Sequence, residues 1–227
     1  MQRQSSASSD THKNSLLDIK RECTFCQMEH IAPMVMKETP NLRLVADHAP
    51  VVEGHLLIIP KQHYTCYGDA PASLDAELFD LKQEVRRFFE LNYTEPVYWE
   101  HGIFHQTVYH AHLHCFPIGP LIYDLEQHEH GQRIHGQEDI RAWHQEKGHY
   151  FYLEDGHYGY LFPPQAEDYS FIIKNELGPA VAAHSSYKQW RLSQERQVDG
   201  KPLIASAMGR WKEFEHTEQA DAQSSSQ

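Results

Sequence analysis

The stretch His110-Ala111-His112-Leu113-His114-Cys115-Phe116 limits this chain more than any other. It alternates polar and apolar residues and reads as a β-strand. Side chains change face with a period of two, so His110, His112 and His114 share one face. Tyr109, Ala111, Leu113 and Cys115 are expected to point the other way, into a core. Three imidazoles in a row make a poor core face, because each buried ring has two nitrogens that need partners. Three readings stand: a metal site, an exposed polar face, or a catalytic histidine braced by its neighbours.

The chain upstream supplies a frame for that strand. Asn41–Ala46 alternates, with Leu42 and Leu44 inward. After Asp47-His48-Ala49-Pro50, Gly54 ends a loop, and His55–Ile59 (His-Leu-Leu-Ile-Ile) is an almost wholly apolar strand, closed by Pro60 and followed by Lys61-Gln62-His63. Leu74, Leu78, Leu81, Val85 and Phe88 repeat at helical spacing and predict a helix over Pro71–Asn92, with Ser73 at its N-cap. Val97–Glu100 is a further strand. The short loop from Gly102 to Thr107 then predicts a hairpin that sets Glu100, Gln106 and Thr107 beside the histidines.

These segments resemble a known family. His110-Ala-His112-Leu-His114-Cys-Phe is similar to the histidine triad (HIT) motif, and Gln106-Thr107-Val108 to the approach that precedes it. The block from Asp47 to His63 resembles the family's other signature, and the two lie in the family's order. The resemblance covers about residues 20–120 and implies an α+β fold, an antiparallel sheet of about five strands with a long helix across it. It implies a nucleotide substrate and cleavage of a nucleoside 5′-phosphoryl bond. His112 is then the nucleophile, His114 a donor to phosphate oxygens, and His110 a support. Asp47 has two readings: a ligand of the ribose hydroxyls, as in the family, or an ordinary turn-forming aspartate. His105 stands where the family has glycine, which leaves the leaving group open.

Cys23-Thr24-Phe25-Cys26 also has three readings: zinc ligands, a redox pair, or two ordinary cysteines. The resemblance implies a zinc ion held by Cys23, Cys26, His63 and His110, structural because four protein ligands leave no open position. Among 18 histidines in the chain, most lie outside the triad and read as surface residues.

Charge and composition narrow the partners. A formal net charge of −12 argues against nucleic acid as an electrostatic partner. No apolar run reaches the length of a membrane span, and Met1–Ser9 lacks the apolar core of a signal peptide, so a cytoplasmic protein is expected. The expected organisation is a loose N-terminal tail (1–20), a HIT domain (21–120), a C-terminal α+β extension packed on it (121–217), and a loose tail (218–227). In the extension Gln127–Gln137 reads as a loop. His149–Leu153, Tyr158–Phe162 and Tyr169–Lys174 read as strands, and Ala180–Gln194 and Pro202–Phe214 as helices. HIT domains often pair through the sheet. Here the extension can replace a second subunit, so monomer and homodimer both remain open. Three functions compete: a HIT-type nucleotide hydrolase or transferase, a catalytically weak nucleotide-binding or partner-recognition module, and a metalloenzyme with the triad as ligands of a catalytic zinc.

Overall fold

The computed structural model describes residues 22–121, 129–155, 158–185 and 193–224. The expected tail at 1–20 lies outside them. The chain builds an α+β fold around one antiparallel sheet. Its strands are β1 (Val35–Glu38), β2 (Leu42–Ala46), β3 (Leu56–Pro60), β4 (Pro96–Glu100), β5 (Leu113–Pro117), β6 (Gln132–Ile134), β7 (Phe151–Glu154) and β8 (Gly159–Phe162). They run in the order β1-β2-β3-β5-β4-β7-β8-β6. The first five are the sheet expected from the resemblance. The count differs because the extension adds three strands to the outer edge of β4, through the register Trp99↔Leu153.

Both faces of this sheet are covered, so the central strands are mostly apolar, with His114 and Glu100 as exceptions. Leu56, Ile58, Tyr98, Leu113 and Cys115 face the layer of α2 (Asp75–Asn92) and α7 (Lys201–Ser224), the latter lying against β1 and β2. Val97, Trp99, Phe116 and Leu153 face the opposite way, against α4 (Ala166–Ile172) and α5 (Gly178–His184). On that second face Leu57 and Ile59 are covered by Cys23, Phe25 and Ile31 from the N-terminal segment, which holds the short helix α1 (Met28–Ile31). The triad face therefore lies between the N-terminal segment and the extension.

Helix α2 keeps its expected stripe, with Leu78, Leu81, Val85, Phe88 and Phe89 buried. Ser73 is not its cap: a 3-10 turn at Ala72–Leu74 leads into Asp75, with no side-chain capping bond. Phe88 joins the two parts of the molecule. It is wholly buried, with ring centroids 5.0 Å from Trp211 and 5.6 Å from Phe214 of α7. Phe88→Ala is expected to lower unfolding stability by about 3–5 kcal/mol, measured by urea titration. A loss below about 1 kcal/mol would mean that α7 does not pack there in solution.

The extension departs from its sequence reading in several places. Tyr169–Lys174 is not a strand. α4 begins after Pro163-Pro164 with Glu167 and Asp168 in its first turn, where acids suit the helix dipole, and continues into a π-helical turn at Ile173–Leu177. Ile172, Leu177 and Val181 are buried at helical spacings along this run. The segment read as a loop contains β6 and leads into α3 (Gln137–Lys147). Only Ile140 and Trp143 are buried on α3, too few to show a stripe, and a bidentate Arg141–Asp75 pair (2.6 and 2.7 Å) ties it to α2. Of the helix expected at Ala180–Gln194, residues 186–192 lie outside the described set, and α6 (Ser193–Asp199) follows. The last helix runs to Ser224, past Glu218 where a tail was expected. No glycine or proline interrupts it there, and Glu218 lies 3.3 Å from the Arg87 guanidinium.

Candidate active site

Of the three triad histidines, only His114 lies in a strand. β5 starts at Leu113, and His110–His112 precede it. The reason is local: the backbone of Ala111 bonds to the Tyr64 carbonyl (2.7 Å) instead of a neighbouring strand. Gln106 fixes the rest of the approach. It is buried, its Nε2 reaches the carbonyls of Val108 (2.6 Å) and His110 (2.8 Å), and its Oε1 accepts from Ile103 N–H (3.0 Å). Gln106 thus braces the loop rather than opening toward a ligand. That loop runs through positive φ at Gly102 (52°), Ile103 (82°) and His105 (57°). The glycine expected at 105 would meet a left-handed backbone without strain. Histidine holds the same conformation with an exposed side chain whose ring lies 4.8 Å from Tyr169.

Hydrogen bonds set the tautomers of the two inner histidines. His112 Nδ1–H donates to the His110 carbonyl at 2.6 Å, which leaves the lone pair on Nε2. His55 Nδ1 accepts from Val51 N–H (3.4 Å), so His55 carries its proton on Nε2 and donates to His114 Nδ1 (2.9 Å). His114 then carries N–H on Nε2. Burial keeps all of these rings neutral. It pulls His55 down to about 4 and His114 well below its ordinary value, with neighbouring imidazoles adding to the effect. His112 is lowered by burial too, opposed by its bond to the His110 carbonyl and by Asp47. One imidazole thus offers a lone pair and its neighbour an N–H, the pair that attack on a phosphoryl group requires.

A cavity of about 500 Å³ opens over His114, His55, Trp99, Thr107 and Asp47, and its other side is made by Tyr169, Ile173, Leu177, Val181 and Arg196 of the extension. Asp47 is buried, with Oδ1 accepting Ala49 N–H at 2.7 Å and Oδ2 lying 3.7 Å from His55 Nε2. His112 lies beneath this floor, 6% exposed, with the Phe25 ring edge-on to it at 5.2 Å. Lys61 does not line this cavity, and its Nζ pairs with Glu38 at 3.1 Å.

Glu100 is not brought to the triad. It points to the α2 face, where its carboxylate accepts from Tyr67 N–H and Tyr150 O–H, both at 2.7 Å. Burial pushes it up to about 7 from the ordinary 4.5, against the pull of those two bonds. A folded-state value above the unfolded one means that the native state holds the proton more tightly. This stabilisation is complete below about pH 4.5 and is lost as pH rises through about 7. Each pH unit of displacement is worth about 1.4 kcal/mol, so the span amounts to about 3 kcal/mol. Glu100→Gln is expected to gain about that much relative to wild type between pH 4.5 and 8 in urea titrations. Parallel pH curves for the two proteins would refute the burial account.

The second cluster lies below the triad. Cys23 Sγ is 3.4 Å from His110 Nδ1, and Cys26 Sγ is 3.4 Å from His63 Nδ1 and 3.5 Å from His110 Nδ1. All four donor atoms lie within 4.8 Å of one another. Around tetrahedral zinc, bonds of about 2.3 Å to sulfur and 2.0–2.1 Å to nitrogen give a sulfur–nitrogen edge of roughly 3.5 Å. His110 Nε2–H donates to the Pro60 carbonyl (2.8 Å), turning its Nδ1 lone pair toward the sulfurs. The donor types and these three sulfur–nitrogen distances fit a tetrahedral metal ion. Asp47, His55 and His114 also lie close together. Their 2.9 Å nitrogen pair fits a hydrogen bond, being shorter than the roughly 3.3 Å edge between two nitrogens on tetrahedral zinc.

Sequence reasoning did not single out His55, His101, Tyr169 or Arg196 as site residues. His55 stands inside a motif, but nothing in the local pattern at Tyr169 or Arg196 shows that the extension folds back over the sheet.

The site is thus an antiparallel sheet that presents packed histidines to an open cavity. Residues 29–120 match the HIT domain model. The adenosine 5′-monophosphoramidase HNT1 of Saccharomyces cerevisiae is 30% identical over 104 residues, 42% of this chain and 61% of the relative, so this chain spans about three fifths of that relative's length. Among solved structures, a zinc-bound histidine triad family protein from Mycobacterium smegmatis is 29% identical over 43% of this chain and 76% of its own, with a TM-score of 0.38. A histidine triad nucleotide-binding protein from Candida albicans is 27% identical over 41% and 73%, with a TM-score of 0.36. No helix among the described residues is long and apolar enough to cross a membrane.

Proposed function

We propose that this protein cleaves a nucleoside 5′-phosphoryl bond through a covalent nucleotidyl-histidine on His112. The observation that carries this reading is the 2.6 Å bond from His112 Nδ1 to the His110 carbonyl, which leaves Nε2 as a nucleophile. The HIT domain match and the phosphoramidase name of the yeast relative support it. In the first step a bond forms between His112 Nε2 and phosphorus as the bond to the leaving group breaks. The leaving group departs with the electron pair and takes a proton from water. A second water attacks phosphorus, freeing His112 and a nucleoside 5′-monophosphate, and the net change is addition of one water. His114 Nε2–H and Thr107 steady the phosphoryl oxygens in both steps, and Asp47 binds the ribose.

A zinc ion on Cys23, Cys26, His63 and His110 would cross-link the N-terminal segment to the triad approach; we assign it this structural role. Homodimer or monomer, a cytoplasmic location, and independence from nucleic acid remain part of the proposal. A second reading, a nucleotide-binding module with weak catalysis, draws on the burial of His112 beneath Phe25. A panel of dinucleoside polyphosphates, nucleoside phosphoramidates and a sugar nucleotide separates the two. Turnover with a mass increase on the peptide carrying His112 supports the enzyme. Tight mononucleotide binding with no turnover and no adduct supports the module.

A further inference from the structure

The cavity wall holds polar atoms that the fold leaves unused. Thr107 and Tyr169 make no side-chain hydrogen bond among the described residues, yet both line the cavity. His101 lines it too, and its Nδ1 is buried without a partner. Burial lowers this ring to about 4, with the Phe104 backbone opposing the fall, but Nδ1 itself has no hydrogen-bond partner. A buried polar atom without a partner costs about 1–3 kcal/mol, so it calls for an explanation. These groups stand together: the His101 ring is 5.7 Å from His114 and 5.9 Å from Tyr169, and Tyr169 is 4.8 Å from His105.

Charge is unevenly placed around the same cavity. Arg196 is its only lysine or arginine among the described lining residues, and its Nε is committed to the Ala49 carbonyl at 3.0 Å, on the Asp47 side. The His101–Tyr169 side has aromatic walls from Trp99 and Tyr169 and no lysine or arginine among its described lining residues. A polyphosphate leaving group would bring several negative charges against neutral rings, in a chain whose net charge is already −12. A neutral group needs only hydrogen bonds, and the unpartnered hydroxyl and imidazole supply them.

We propose that His101 and Tyr169, the latter borne by the C-terminal extension, form a leaving-group subsite that takes an uncharged amine or alcohol and disfavours polyphosphate. This rests on the nucleotidyl-transfer reading above. Tyr169 donates its O–H to the departing atom and His101 fills its own vacant bond on the same group. Their contribution is confined to the first step, because the leaving group is gone in the second.

Single-turnover kinetics test this with wild type, Tyr169→Phe and His101→Gln on three substrates that share one nucleoside: an alkyl phosphoramidate, an alkyl phosphodiester and the triphosphate. Wild type is expected to favour the uncharged leaving groups by at least about 30-fold in kcat/KM. Tyr169→Phe, which keeps the ring packing, should slow formation of the nucleotidyl-enzyme about three- to tenfold, with its hydrolysis unchanged. His101→Gln should act on the same step. Nucleoside monophosphate affinity, by calorimetry, should stay within twofold. Equal slowing of both steps would show a merely structural role and overturn the proposal, as would a wild-type preference for the triphosphate. Absence of any nucleotidyl-enzyme in wild type would overturn the underlying reading itself, and the subsite with it.

Discussion

His112→Ala is expected to lower kcat by about 10⁴-fold or more, the scale seen when an enzyme loses its covalent nucleophile. KM should move only a few-fold, because Asp47, Thr107 and His114 still face the cavity. The variant should also fold. The His110 carbonyl that His112 engages keeps its bond from Gln106 Nε2 at 2.8 Å, so removing the imidazole leaves no backbone acceptor stranded. Thermal unfolding and mononucleotide titration beside the kinetics separate a chemical defect from a folding one. Retention of more than about a tenth of wild-type turnover would exclude His112 as the nucleophile, since no neighbour duplicates its arrangement. His114 is held in the opposite sense, with its Nδ1 occupied by His55 and an N–H on Nε2.

That distinction between the two histidines shows where sequence reasoning stops. The alternation around His110–His114 predicts a shared face, and β5 delivers His114 and Phe116 to it. It cannot predict which nitrogen holds the proton, because the deciding acceptors are the His110 carbonyl and a ring from another strand. Glu100 shows a different limit. Its place in the hairpin puts it near the triad in the chain, but the pleat turns it to the other face: Trp99 pairs with His114, so Glu100 faces α2. At His105 the sequence shows a missing glycine, and the structure shows its consequence, a left-handed φ of 57°. Tyr169 was read as part of a strand because Tyr169–Lys174 is rich in β-formers. Helical dipole acids and burial at helical spacings outweigh that local preference. The cavity roof was therefore invisible, although every residue of its floor lies in segments whose elements the sequence predicts.

Metal analysis of the purified protein is expected to find one zinc per chain, and Cys23→Ser to lose it. Cys23 and Cys26 belong to the cluster that covers Leu57 and Ile59, and Phe25 between them touches the rings of both His110 and His112. Loss of the ion would unfasten that segment. With free zinc at about a thousand times its dissociation constant, linkage assigns the bound ion about 4 kcal/mol of stability, a shift readily seen in thermal unfolding with and without chelator. The effect should reach the chemistry, because His110 serves twice: its Nδ1 faces the cysteine sulfurs, and its carbonyl fixes the His112 tautomer. A Cys23→Ser protein should therefore combine lower stability with slower nucleotidylation, while a chelated wild type behaves alike. Two results point elsewhere. Zinc kept in Cys23→Ser but lost in His114→Ala would put the metal on the triad and make the protein a metalloenzyme. Absence of zinc, with no thermal shift on adding it, would reduce the Cys23–Cys26–His63–His110 set to thiol–imidazole hydrogen bonds, for which its 3.4 Å separations also suffice.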